Sequence, residues 1–225
     1  MKKTLTLMLL AVVTTALSSS LSAKSDLPQV SFDGLELVEK DSRGYIYAAP
    51  DVDWGLYDRI MLDKATVSFR KNWQRDQNQV PLQPFKVKAS DMEKIKTELS
   101  ELFNQVFTEE LTGKGDYIMA TESDHNVMRI SPQIVDLDVY APDTSSPGIQ
   151  RSYTTQAGRM TLKLDIYDSV TGDLLAAASD RKEAPHRGYM QWTTSVSNYA
   201  DARRMLQVWA KDLRKRLDEA RGKVD

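Results

Sequence analysis

Met160-Thr161-Leu162-Lys163-Leu164-Asp165-Ile166-Tyr167, followed by Asp168-Ser169-Val170-Thr171-Gly172-Asp173 and then Leu174 to Ser179, decides the fold. Met160, Leu162, Leu164 and Ile166 point one way, and Thr161, Lys163, Asp165 and Tyr167 the other. Strict alternation of this kind is the pattern of a strand with one buried face. Asp168 to Asp173 is rich in turn formers, so Leu174 to Ser179 returns as the antiparallel partner. A hairpin with one apolar face needs something to cover it.

Two amphipathic helices supply the cover. Met92, Ile95, Leu99, Leu102, Phe103, Val106 and Phe107 recur at helical spacing after a capping-box pair, Ser90 and Glu93. Gly113 and Gly115 mark the end of that helix. The last helix runs from about Asn198 to Arg221, with Tyr199, Ala202, Leu206, Trp209, Leu213, Leu217 and Ala220 on one face. More strand material lies elsewhere. Within Tyr45 to Phe69, Ile60 and Leu62 alternate with polar neighbours. The apolar phase then shifts to Ala65, Val67 and Phe69, which predicts a bulge or two short strands. Tyr117 to Ala120 and Val127 to Ile130 read as short strands, and Val135, Leu137 and Val139 alternate with Asp136 and Asp138. Pro132 lacks an N–H and implies an edge or a break. Residues 70–89 form a basic, glutamine-rich connection, and 141–157 a loop of Ser, Thr, Pro and Gly. The predicted fold is α+β: a mostly antiparallel sheet with two main helices packed on one face. Residues 45–225 form one domain, preceded by a polar arm over 24–44.

Lys2 and Lys3, the apolar run Leu5 to Leu17 and the small residues Ser18 to Ala23 have the order of a secretory signal peptide. That run is too short to span a bilayer, which takes roughly 20 apolar residues. The expectation is export to a periplasm with cleavage after Ala23, and no transmembrane span in the mature chain. With 225 residues, 41% of them hydrophobic and 28% charged, the chain can bury a core and remain soluble. With a formal charge of −2 nothing favours nucleic acid, whose binding needs a clustered basic surface. There is no cysteine, so a lipid anchor carried on a cysteine has no attachment point.

Tyr47-Ala48-Ala49-Pro50-Asp51-Val52-Asp53-Trp54-Gly55-Leu56-Tyr57-Asp58-Arg59-Ile60-Met61-Leu62-Asp63 is one distinctive motif. Ala157-Gly158 with the following strand and Asp168-Ser169-Val170-Thr171-Gly172-Asp173-Leu174-Leu175-Ala176 is a second. Together they resemble the bacterial family known as domain of unknown function 3313, in element order over most of residues 45–221. Members are typically exported and many look like lipoproteins, so the resemblance implies an envelope protein. It brings no activity, cofactor or site residue with it. The chain departs from the pattern in lacking the lipid-bearing cysteine, and in having Lys64-Ala65 at a strand end where the family implies a proline.

Chemistry-bearing residues are sparse. The 2 histidines, His125 and His186, lie far apart in sequence and belong to no metal-ligand or triad spacing. No catalytic, cofactor-binding or metal-binding residue is assigned. Asp136, Asp138, Asp143, Asp168 and Asp173 lack the spacing of a calcium loop, and Asp168 reads as the cap of the hairpin turn. Gly113-Lys114-Gly115 follows a helix, the wrong context for a phosphate loop. The aromatic run Tyr189, Trp192 and Tyr199, with Arg187 and Gln191 interleaved, has two readings. It is a partner surface, since aromatics and arginine are enriched at binding hot spots, or it packs under the last helix. Trp73, among Lys71, Asn72, Gln74 and Arg75, is a second candidate anchor with the same two readings.

The sequence therefore points to an exported periplasmic binding or accessory protein. Its partner would be an envelope protein or a second copy of itself. The competing classes are an envelope hydrolase, which needs a pocket joining a histidine to convergent polar groups, and a small-ligand carrier, which needs a deep apolar cavity between helices and sheet.

Overall fold

The computed structural model describes residues 27–31, 33–79, 86–139, 153–154, 158–183, 191–192 and 195–223. The expected signal segment lies outside them. At the centre are three long strands: β6 (Val127–Asp138), β8 (Arg159–Asp168) and β9 (Leu174–Glu183). β8 and β9 pair antiparallel from Arg159↔Glu183 to Tyr167↔Leu174, and Met160, Leu162, Leu164 and Ile166 are buried, as the alternation requires. The Asp168 carboxylate holds the turn by accepting the N–H groups of Val170 and Thr171 at 2.8 Å each. Gly172 takes the left-handed conformation the turn needs, with φ +76°.

β2 (Gly44–Ala48) adds antiparallel to β9, and β1 (Glu36–Lys40) adds antiparallel to β2. The predicted polar arm is thus corrected. Its second half is an edge strand of the sheet, and Leu35 just before it is buried. The strand escaped notice because its five residues bury almost nothing and a register shift interrupts the pairing between Leu37 and Glu39.

On the other side of β6 the sheet turns parallel. β3 (Arg59–Leu62) pairs with residues 127–130 and β4 (Thr66–Phe69) with residues 133–137, so the phase shift marks two short strands. β5 (Ile118–Met119) closes the edge beside β3. The 8-stranded sheet is therefore mixed and largely antiparallel. β7 (Tyr153–Thr154) and β10 (Gln191–Trp192) form a separate two-stranded ladder.

Pro132 is neither at an edge nor at a break in its own strand, and that expectation is also corrected. The Asp63 N–H bonds Ile130 O at 2.9 Å, so the backbone of residue 130 faces β3 and β4. Two residues on, Pro132 would aim an N–H the same way, at the Asp63–Ala65 gap between those short strands, where no ladder bond is due. The Ala65 carbonyl in this gap accepts instead from Ser100 Oγ at 2.7 Å. Further along β6, Asp136 sits in the left-handed region with φ 53° and the register shifts between Val135 and Asp138. This bulge moves the buried phase from Ile130 and Ile134 to Leu137, leaving Val135 on the opposite face.

A short helix, α1 (Trp73–Asn78), precedes the long α2 (Ala89–Gly113), and α3 (Ser195–Ala220) ends the fold. The cap of α2 lies two residues earlier than expected: the Asp91 carboxylate accepts the Lys88 N–H at 2.8 Å, in place of a Ser90–Glu93 pair. At its end the left-handed residue is Asp116, not a glycine. Gly115 is needed for clearance, since a Cβ there would lie 2.7 Å from both Leu111 O and the Tyr117 ring. α2 contributes Leu99, Phe103 and Phe107, and α3 contributes Leu206, Trp209 and Ala210, to one core against Ile60, Met128, Ile130, Ile134 and the β8 apolar row.

Candidate binding groove between the helices

α2 and α3 run in the same direction. Their C-terminal ends share a buried ionic cluster and their N-terminal halves line one groove. In the cluster Arg214 donates from Nε to Glu110 Oε1 at 3.1 Å and from Nη1 to Asp218 Oδ2 at 2.6 Å. The Tyr117 hydroxyl donates to Asp218 Oδ1 at 3.4 Å, and the Arg221 guanidinium lies 4.7 Å from the Tyr117 ring centre. Burial opposes the charge on Arg214, but its bonds to Glu110 and Asp218 outweigh that and hold its pKa above the ordinary value. Burial also opposes the Glu110 charge, and Lys114 and Arg214 more than offset it, so its carboxyl titrates below the ordinary range.

Toward the other end the two helices and the sheet line a cavity of about 560 Å³. Leu99, Leu102, Leu137, Met160 and Met205 form its apolar floor, each less than a tenth exposed. The rim carries Glu98 and Glu101 on α2, Tyr199 and Asp201 on α3, and Arg159 at the start of β8. Arg159 is held by Asp138 at 2.9 Å, and Asp138 also meets Arg70 at 2.9 Å. Tyr199 is 47% exposed, so this member of the predicted α3 apolar face points out at the groove mouth and is not core. Lining residues such as Leu99, Leu102 and Met205 were visible in the sequence only as core positions.

Trp73 is a correction. It is 1% exposed, stacks on Phe69 with ring centres 4.1 Å apart, and donates its indole N–H to Val139 O at 2.8 Å. It anchors a small second core with Val87, Met92 and Ile95, immediately behind the groove wall. It therefore braces Val139 and Ile95, which line the groove, and is no surface anchor. Arg187 and Tyr189 lie outside the described residues. Gln191 and Trp192 form β10, and their side chains lie outside the description too.

His125 is exposed on a turn with Nδ1 2.7 Å from Asp124 Oδ1. Ser169 stands at the same turn, but its hydroxyl is occupied by backbone: it donates to Asp124 O at 3.0 Å and accepts the Asp124 N–H at 3.2 Å. None of these three groups lines the α2–α3 groove. His186 and Asp143 lie outside the described residues. Asp168, besides capping its turn, accepts the Tyr57 hydroxyl at 2.8 Å, and burial with that bond pushes the Tyr57 pKa up to about 12. Among the described residues no three His, Cys, Asp or Glu side chains gather as metal ligands would. Nor is any described helix long and apolar enough to cross a membrane.

A family model described as "Protein of unknown function (DUF3313)" matches residues 23–213. No curated protein matches the chain. Among solved structures, a PelC dodecamer from Paraburkholderia phytofirmans is similar at 8% identity and a TM-score of 0.34, over 73% of this chain and 96% of that one. A neuraminyllactose-binding hemagglutinin homolog from Helicobacter pylori is similar at 13% identity and a TM-score of 0.36, over 75% and 92%. At these scores neither likeness bears on assembly or ligand.

Proposed function

The chain belongs to the DUF3313 family, and from that premise we propose that it is an exported envelope protein that works by binding, as an accessory to a protein partner. The observation that carries this reading is the α2–α3 groove, an apolar floor of ordinary ligand-site size that no described residue covers. The export part of the proposal rests on the Lys2 to Ala23 order, which supports a periplasmic location. A hydrolase is less well supported, because His125 and Ser169 sit on an exposed turn and the Ser169 hydroxyl is taken up by the Asp124 backbone. The segment Arg187 to Trp192 remains a proposed extension of the partner surface on composition alone.

The test is capture of partners by the exported protein from an envelope extract, read by mass spectrometry beside a Tyr199→Ala variant. The expected result is a defined partner whose yield falls with Tyr199→Ala while the unfolding midpoint holds. No enriched protein would overturn the reading.

A second reading, a small-ligand carrier, draws on the volume and position of the same cavity between helices and sheet. Stabilisation of the chain by a medium-chain fatty acid, with no captured protein, would favour it.

A further inference from the structure

The groove is lined at Ile95, Leu99 and Leu102 on α2 and at Tyr199, Ala202 and Met205 on α3. Both sets recur at three- or four-residue spacing, so each helix turns one stripe toward the same opening. From Ile95 to Gln105 the α2 stripe runs about 15 Å at the helical rise. Two stripes on parallel helices, floored by Leu137 and Met160 from the sheet, form a seat for a third apolar helix edge.

The rim selects the charge of the occupant. Glu98 and Glu101 stand on one side and Asp201 on the other. The nearest cation to Glu98 is Lys94 at 3.8 Å, Asp201 is bridged by Arg204, and Glu101 has no ion-pair partner among the described residues. Arg159, the one cation of the described lining, is already held by Asp138. An anionic lipid headgroup entering here would face carboxylates, with no free cation among the described lining residues. A helix with lysine or arginine beside its apolar stripe would meet Glu98 and Glu101 favourably.

We propose that the groove docks a cationic amphipathic helix of a protein partner, about three turns long. The apolar stripe seats on Leu99, Leu102 and Met205, and the flanking basic residues face Glu98 and Glu101. The inference rests on the binding reading above and adds the chemistry of the partner.

A labelled peptide of about four helical turns, with leucine at i, i+3, i+4 and i+7 and lysine elsewhere, is titrated with the full chain and followed by anisotropy. A counterpart carries glutamate for lysine. The expected result is saturable binding of the lysine peptide alone. Glu98→Lys with Glu101→Lys should weaken it about tenfold or more and confer binding of the glutamate peptide. Glu101→Gln should give an intermediate loss, and circular dichroism should show each variant folded. Binding that ignores the charge reversal would overturn the proposal. So would laurate occupying the groove with no peptide binding, or a concentration-dependent dimer abolished by Tyr199→Ala. A natural partner captured equally by wild type and charge-reversed protein would end the groove assignment and leave partner binding standing. Absence of any captured partner strikes the binding reading itself.

Discussion

The Trp209 indole N–H donates to Asp180 Oδ2 at 2.8 Å, so the middle of α3 is bonded directly to β9. Trp209 is 4% exposed and belongs to the main core, and Lys182 lies 5.7 Å from its ring centre. The last helix is therefore part of the domain and not a detachable tail. Trp209→Ala should cost about 3–5 kcal/mol in urea unfolding. Trp209→Phe, which keeps most of the volume and removes the donor, should cost nearer 1 kcal/mol. A loss under about 0.5 kcal/mol for the alanine variant would describe a surface site and contradict this placement.

Trp73 should behave as core. Trp73→Ala empties a fully buried site and strands Val139 O, so a loss of about 3–5 kcal/mol is expected. Partner capture per folded molecule should fall as well, because Ile95 and Val139 in the groove wall lose their backing. An unchanged unfolding midpoint would return Trp73 to the surface.

The ionic cluster at the base of the helix pair carries a pH dependence of known sign. The folded Glu110 carboxyl titrates below its ordinary range, so its contribution is fully present above about pH 4.3 and is lost as pH falls through the lower folded value. The stability gap between wild type and Glu110→Gln should be largest near neutrality and shrink below about pH 4. A gap that widens in acid would contradict the direction of the shift. Arg214→Ala leaves Asp218 without its cation, while Glu110 keeps Lys114 at 3.0 Å, and should cost about 3 kcal/mol.

Export is checked by intact mass. The protein recovered from the envelope should begin at Lys24 with no added acyl mass. A retained leader would contradict the expected cleavage after Ala23.

How much of this was legible in the sequence depended on whether one face of an element is buried. The β8–β9 hairpin was readable because Met160 to Ile166 alternate without interruption between core and solvent. The second half of β6 was misread because the bulge at Asp136 switches phase at a residue that is not glycine. β1 was hidden because an edge strand that buries little has no period to show. Trp73 looked exposed because α1 is six residues long and buries only Trp73 and Gln77, one turn apart, among polar neighbours. The groove had no signature at all. Leu99, Leu102 and Met205 read the same whether a core position faces protein or an opening, and only the packing of α2 and α3 on the sheet decides which.

The central claim is that the α2–α3 groove is where this protein meets its partner. The chain has no cysteine, so a single introduced thiol reports one position without background. Gln105→Cys at the groove rim and Lys163→Cys, exposed on the face of β8 opposite its buried apolar row, are each coupled to a short photo-cross-linker and activated in an envelope extract. The expected result is a discrete protein adduct from position 105 and none from position 163. Adducts from position 163 alone, or none from either, would contradict the account.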